Sequence, residues 1–488
     1  MLFNSISFAI FFPVVTLLYF VLPYRYRNLL LLMASCFFYM FFKPIYILIL
    51  FFTIIIDYWA GILIENAEGP RKKFFLSWSL VANIGVLAIF KYYNFINDNI
   101  TSLMGSFGAS NHIPYLTILL PIGLSFHTFQ AMSYTIEVYR GNQKTEKNFL
   151  TYALYVMFYP QLAAGPIERP QNMLHQFYEK HDFDYARVAS GLRLMLIGFF
   201  KKIVVADRVA LIVNSVYDHH NGQNGLTYTI AAIFFTIQMY FDFSGYSDIA
   251  RGSARVMGFE LMLNFNRPYF AYRLSDYWRR WHISLYSWFN DYLFTPLSIG
   301  LRDWGRWAII ASILITFSIS GLWHGAAWTF VLWGFMHGVG LSIESLTKKP
   351  FKKIRKGLGE RLYNNLTRII TITFVIISLV IFRLVHLHEV GHVLYMIATD
   401  TIPAIIRYRH GAPVLLGLGL DKYSPLGIIA VFVVALLVLY AEYVFSLART
   451  RTIFFSSTVL RMATYFLLLY SILFFGYFGE MQFIYFQF

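Results

Sequence analysis

Along the chain, apolar residues recur in long blocks separated by short polar joints. A helix that crosses a bilayer needs about 20 predominantly apolar residues. Runs of that kind lie near 5–22, 28–42, 45–64, 74–92, 114–135, 226–243, 307–322, 325–345, 366–386, 424–446 and 460–479. Residues 150–218 read differently. There "MFYPQLAAGPIERP" carries Pro160, Gly165, Pro166 and Pro170, which would break a helix. Non-helical backbone at membrane depth persists only where protein or a cavity satisfies its polar groups. The pattern therefore predicts re-entrant or broken helices in this stretch, and about 11 to 13 membrane helices in all. No repeat of fixed period and no low-complexity segment interrupts it. The expected fold is an all-α polytopic membrane protein, with residues 1–488 forming one membrane-embedded domain.

Composition agrees. The chain is 58% apolar and 13% charged, against about 45–50% and about 25% in soluble domains. Its net charge of +15 could suggest nucleic acid, but the basic residues sit in short loops and no nucleic-acid module accompanies them. Lys and Arg instead mark cytoplasmic loops. By that rule Glu68–Lys73, Arg140–Lys147, Lys348–Arg361 and Ala448–Thr452 face the cytoplasm. Asn94–Pro114 and the tail "GEMQFIYFQF" face outward. Arg25 and Arg27, the first basic residues, follow the first span, so the N-terminus is expected outside; no secretory-signal pattern precedes it. The lone Cys36 permits no intrachain disulfide and reads as a buried thiol.

Motifs of soluble enzymes are missing: no nucleophile elbow, phosphate-binding glycine loop, zinc helix or Cys-x-x-Cys pair. No metal site is expected. His386, His388 and His392 cluster at the predicted edge of a span and read as an exposed loop. In "SDYWRRWHISLYSWFNDYLFTPL", Trp278, Trp281, Leu285, Trp288 and Tyr292 recur at helical spacing, with Arg279 and Arg280 elsewhere on the wheel. That predicts an interfacial amphipathic helix over Ser275–Leu297, in which His282 is the residue left unexplained. Asp242 ends an apolar run, and an ionisable group at membrane depth is a functional candidate by default. An Asp248–Arg251 pair joining two helices is the plainer reading of that stretch.

The segment "FSISGLWHGAAWTFVLWGFMHG" places His324 among small residues, with Ser320 and Trp323 just before it. Small residues permit close approach of another helix or of a thin substrate chain. In a dry setting an imidazole stays neutral and can accept a proton, which suits a general base for a hydroxyl attacking a thioester. A packed histidine bonded to a carbonyl is the alternative.

Taken in order, "LLPIGLSFHTFQAMSYTIEVYRG", "FYPQLAAGPIERP", "FDFSGYSDIARG", "NFNRPYFAYRLSDYWRRWHISLYSWFNDYLFTPL" and "SGLWHGAAWTFVLWGFMHG" resemble the membrane-bound O-acyltransferases. The likeness is to their bacterial polysaccharide O-acetylation branch, with the family-type core at about residues 114–345. The resemblance implies tilted helices around a central tunnel. It also implies a catalytic His324 and a second catalytic position at His282. Asp242, Trp323, Arg279, Arg280 and Ser320 are candidates for substrate binding. An acyl thioester, acetyl-CoA, would be the donor substrate, with no bound cofactor. An extracytoplasmic SGNH-type acetyltransferase, like AlgJ, AlgX or PatB, would be the partner in esterifying a polysaccharide, and the site would be the inner membrane. Two alternatives stay open: D-alanyl transfer from a carrier protein to teichoic acid, and a glycan-precursor transporter without chemistry.

Overall fold

A computed structural model describes residues 1–117, 121–218, 222–409, 425–445, 447, 454, 456–479 and 481–486. No strand occurs among the described residues. The chain forms two compact units. One comprises Met1–Met195, Ser247–Leu263 and Tyr485–Phe488, the other Leu196–Tyr246 and Asn264–Ile484.

In the first unit, α1 (Ile6–Val21) starts where the Ser5 hydroxyl accepts the Phe8 N–H, the usual way of satisfying an orphan donor. Next come α2 (Tyr24–Met40), α3 (Ile47–Asn66) and α4 (Gly69–Leu87). The last widens into a π turn at Ala88–Tyr92 before α5 (Tyr93–Ser106). The span expected from residue 114 begins later, as α6 (Leu124–Arg140). Gly123 sets that start: its φ is +77°, and a Cβ there would lie 2.6 Å from the Leu162 carbonyl oxygen. Gly141, at φ +80°, ends α6 in the left-handed cap that glycine permits.

The proline-rich stretch is broken as expected, into α7 (Phe149–Met157), α8 (Tyr159–Leu162) and α9 (Pro170–Met173). Residues 151–168 are buried throughout, and side chains satisfy the irregular backbone. Gln130 and Gln161 donate to the Tyr155 carbonyl at 2.6 and 2.7 Å. The Tyr155 hydroxyl donates to the Glu168 carbonyl at 3.0 Å, and the Tyr159 N–H to Ser35 Oγ at 3.0 Å.

Helix α10 (Tyr185–Phe199) passes through a π segment, Phe200–Ala206, into α11 (Asp207–Tyr217). Helix α12 (Gly225–Met257) is 33 residues long and runs well past the expected end near 243. Asp242, Asp248 and Arg251 therefore lie on one helix, and Asp248 and Arg251 pair at 3.8 Å.

The expected amphipathic helix over Ser275–Leu297 is absent. In its place are α13 (Leu274–Trp278), α14 (Ile283–Phe289), a π turn at Asn290–Phe294 and α15 (Thr295–Gly300). His282 makes the break, with left-handed φ 45° and ψ 54°. The tryptophans are also not at an interface: Trp278, Trp281 and Trp288 are buried. Beyond lie α16 (Arg306–His324), α17 (Trp328–Leu346), α18 (Lys348–Leu358), α19 (Glu360–Arg383), α20 (Leu387–Arg409), α21 (Pro425–Phe445) and α22 (Thr458–Phe475). Helix α20 was not expected, because His388, Glu389, His392, Asp400 and Arg407 hide its apolar positions. His386, His388 and His392 are exposed, as anticipated, but His388 and His392 lie on this helix and not in a loop. The basic segment Ala448–Thr452 and the last residues of the tail fall outside the described residues.

Among the described residues, six helical stretches are long and apolar enough to cross a membrane: Pro44–Asn66, Gly69–Ser106, Gly225–Met257, Arg306–His324, Glu360–Arg383 and Thr458–Phe475. Helices α1, α2, α6 and α17 stand near other expected spans but are shorter or more polar. Large apolar side chains such as Ile6, Leu17, Val81, Ile370 and Leu467 are exposed. In water such a surface would aggregate; in lipid it is the outer face of a multi-pass membrane protein.

Candidate active site

Helix α16 ends on His324, because Gly325 and Ala327 are extended (φ −158° and −148°) before α17 begins. The two helices then pack antiparallel through their glycines. A Cβ on Gly321 would lie 2.1 Å from the Phe330 carbonyl oxygen, and one on Gly334 would lie 2.1 Å from the Phe317 carbonyl oxygen. A Cβ on Gly325 would strike the Phe330 ring at 2.1 Å. At Gly321, Gly325 and Gly334 the small residues serve close packing of the two helices. They seat α17 against α16.

That packing fixes His324 inside a box of rings. Its centroid lies 4.9 Å from Trp323, 5.2 Å from Trp333 and 5.4 Å from Phe382. The residue is 5% exposed. Rings meeting edge to face hold a position through packing and quadrupole contacts.

His282 is held differently. Asn264 Oδ1 accepts the Ser284 N–H at 3.3 Å and the Ser284 hydroxyl at 2.9 Å, and it lies 3.1 Å from His282 Nδ1. A backbone N–H can only donate, so the Asn264 atom is the oxygen and His282 Nδ1 carries the proton. The lone pair then sits on Nε2. Phe243 stacks edge-on at 4.6 Å, and Trp323 lies 6.5 Å away. Trp323 thus lies against both His282 and His324. The left-handed backbone at His282 is uncommon for a non-glycine residue and turns the imidazole inward to 1% exposure.

A cavity of about 440 Å³ opens beside this group, lined by Arg273, Trp278, Arg279, Phe317, Ser320 and Glu344 among others. Ser320 is one turn before His324. Trp278 forms part of the wall, and its indole N–H donates to His337 Nδ1 at 3.2 Å. His337 in turn lies 4.8 Å from Trp333, a wall of the His324 box.

The other predicted residues separate. Arg280 is tied to Asp276 at 2.8 Å and is not among the cavity residues. Asp242 lies elsewhere, accepting from Lys202 at 2.8 Å and from the Ile484 N–H at 2.9 Å. Lys202 also pairs with Asp207 at 2.7 Å. Asp242 therefore closes a buried ion cluster. Sequence reasoning missed Lys202, Asn264, His337, Trp333 and Phe382. Two signals were available: paired lysines inside an apolar run ("FFKKIVVAD"), and a second histidine one helix after the first. Among the described residues no cluster of His, Cys, Asp and Glu could hold a metal.

Residues 142–385 match the membrane-bound O-acyltransferase family. The chain is 38% identical over 389 residues to the probable alginate O-acetylase AlgI of Pseudomonas aeruginosa, covering 78% of this chain and 72% of that one. The chain belongs to the membrane-bound O-acyltransferase family. It is an O-acyltransferase. It is also 33% identical over 427 residues to the peptidoglycan O-acetyltransferase of Helicobacter pylori, covering 81% of this chain and 79% of that one. The teichoic acid D-alanyltransferase of Bacillus subtilis is more distant, at 27% over 340 residues, covering 66% and 82% respectively. Both histidines and the cavity lie within the family's matched span.

Proposed function

We propose that this acyltransferase moves an acetyl group from a cytoplasmic thioester, acetyl-CoA, toward a hydroxyl of an extracytoplasmic polysaccharide of the alginate or peptidoglycan kind. The observation that carries the reading is the ring-walled His324, with Trp323 lying against both it and His282. The likeness to acetylating relatives supports the acetyl group over D-alanine.

In the proposed step, a neutral His324 takes the proton of the attacking hydroxyl while its oxygen adds to the thioester carbonyl. The tetrahedral intermediate then expels sulfur, and the imidazolium returns the proton to the leaving thiolate. One C–O bond forms and one C–S bond breaks. His282 presents a lone pair at Nε2, so it accepts from an N–H of the donor arm and positions it; a neutral imidazole in that tautomer does not polarise the carbonyl. Arg273 and Arg279 at the cavity favour an anionic donor, and Ser320 lines its approach. The hydroxyl acetylated at His324 is then that of an intermediate acceptor, whose acetyl ester a separate extracytoplasmic SGNH-type acetyltransferase transfers to the polysaccharide hydroxyl, releasing the acceptor hydroxyl. The basic loops support a cytoplasmic donor side.

The test uses sealed proteoliposomes with labelled acetyl-CoA on one side, and D-alanyl carrier protein in a parallel arm. Acetyl transfer requiring donor on the side of the Lys348–Arg361 segment is expected. Transfer of D-alanine alone would sink the acetyl reading, and donor use from the opposite side would invert the topology. A cysteine placed in Lys348–Arg361, after replacement of Cys36, identifies that side by its reach to an impermeant thiol reagent.

A further inference from the structure

Another buried ionisable group takes no part in that chemistry. Asp57 lies inside the membrane-crossing stretch Pro44–Asn66 and is fully buried. Its carboxylate accepts from Ser79 Oγ at 2.6 Å and from the Asn83 amide at 2.9 and 2.8 Å. Ser79 and Asn83 are one turn apart on α4. Ser79 Oγ also lies 3.0 Å from Thr135 Oγ1 on α6. Three helices thus converge on one carboxylate. Among the described residues no lysine, arginine or histidine pairs with it.

A carboxylate without a counter-charge is costly at membrane depth, and such groups mark ion or proton sites. Two further oxygens point the same way. Asn83 Oδ1 and Tyr152 Oη are fully buried and have no hydrogen-bond partner among the described residues. Asn83 is already in the cluster, and Tyr152 sits on α7, which packs against both α3 and α6. The Tyr134 and Tyr152 rings, 4.5 Å apart, pack beside it. Gly61, one turn after Asp57, leaves room for Tyr134: a Cβ there would lie 2.8 Å from its ring. Further titratable groups nearby are Tyr155, 6.3 Å from Tyr152, and His127 of α6, bonded at 2.6 Å to Thr53 Oγ1, one turn before Asp57 on α3.

We propose that Asp57, with Ser79, Asn83, Thr135 and Tyr152, holds one monovalent cation, either an alkali ion or a proton. Hard cations take oxygen ligands, and apart from the Asn83 nitrogen every polar atom of the cluster is an oxygen. Turning the Asn83 amide by half a rotation replaces its nitrogen with Oδ1 and completes the oxygen set. Amide orientation follows its partners in this way. An ion bound by the folded bundle stabilises it by mass action.

The experiment follows thermal unfolding of the full-length protein in lipid nanodiscs, in sodium chloride against choline chloride at equal ionic strength. Wild type should gain stability saturably with sodium, and Asp57→Asn, of nearly the same size, should not respond. If sodium has no effect on wild type, the infrared difference between wild type and Asp57→Asn at neutral pH must show a protonated carboxyl C=O band. Ser79→Ala and Thr135→Val spare the charge and should weaken sodium binding several-fold, or shift the carboxyl band. They keep the test readable if Asp57→Asn does not fold. A sodium response that survives in Asp57→Asn overturns the proposal. So does an ionised carboxylate band in a wild type indifferent to sodium.

Discussion

The Asp57 cluster and the α16–α17 junction both bury an ionisable group, and they surround it in opposite ways. Asp57 is gripped by a hydroxyl and an amide at 2.6–2.9 Å, contacts that fix where charge resides. His324 is walled by Trp323, Trp333 and Phe382 at 4.9–5.4 Å. Rings meeting edge to face fix the plane of an imidazole. The first arrangement suits a group that holds an ion; the second holds the imidazole in the position that the proposed proton transfer requires. His282 combines the two kinds of surroundings, ring-packed by Phe243 but with its tautomer set by Asn264.

The largest expected effect breaks the box itself. Gly321→Leu drives a side chain into the Phe330 carbonyl, an overpacking that typically costs about 1–3 kcal/mol or more. Fluorescence-detected size exclusion should show loss of folded protein. Gly85→Leu on α4, where a Cβ meets nothing within 4 Å, should remain folded. If both fold equally, glycine packing does not position His324.

Next is His282→Ala. It should lower kcat/KM by about 10–100-fold, which is about 1.4–2.8 kcal/mol, mostly through a weaker grip on the donor. Unchanged binding of a non-hydrolysable thioester analogue would remove His282 from the donor side. Asn264→Leu should move the same readout in the same direction, by freeing the tautomer.

Thr53→Val sharpens the other half of the comparison. It takes away the hydrogen bond to His127 Nε2, and leaving a buried polar group unsatisfied costs about 1–3 kcal/mol. A lower unfolding midpoint with transfer intact is expected; loss of transfer with an unchanged midpoint would make that face catalytic. The smallest effect belongs to Arg280→Ala. Its partly exposed pair with Asp276 contributes about 0–1 kcal/mol, so a large loss of activity would show that Arg280 touches substrate.

The apolar blocks announced most of the helices because length and hydropathy are local properties. Proline and glycine likewise announced the broken stretch 158–170. What failed was non-local. The start of α6 depends on Leu162, far along the chain, seated against Gly123. Helix α20 has too many polar residues to read as a span. The Trp-rich segment has the spacing of one helix, yet Asn264, from a preceding loop, holds His282 in a left-handed turn and splits it. At the site, His324 and Trp323 were legible from their small and aromatic neighbours. Phe382 and Asn264 were not, since each reaches the histidines only through the fold. Asp57 passed unnoticed for the same reason: one acid in "IIIDYWAG" gains meaning only beside Ser79 and Asn83 of the next helix.

The central claim is that His324 moves the proton during acyl transfer. The most direct test measures labelled acetyl transfer by purified wild type and His324→Ala in proteoliposomes, with thermal unfolding of the same samples. The account predicts a loss of about 100-fold or more, the scale of a missing general base, at an unfolding midpoint near that of wild type. More than a tenth of wild-type transfer in a folded His324→Ala protein would contradict it.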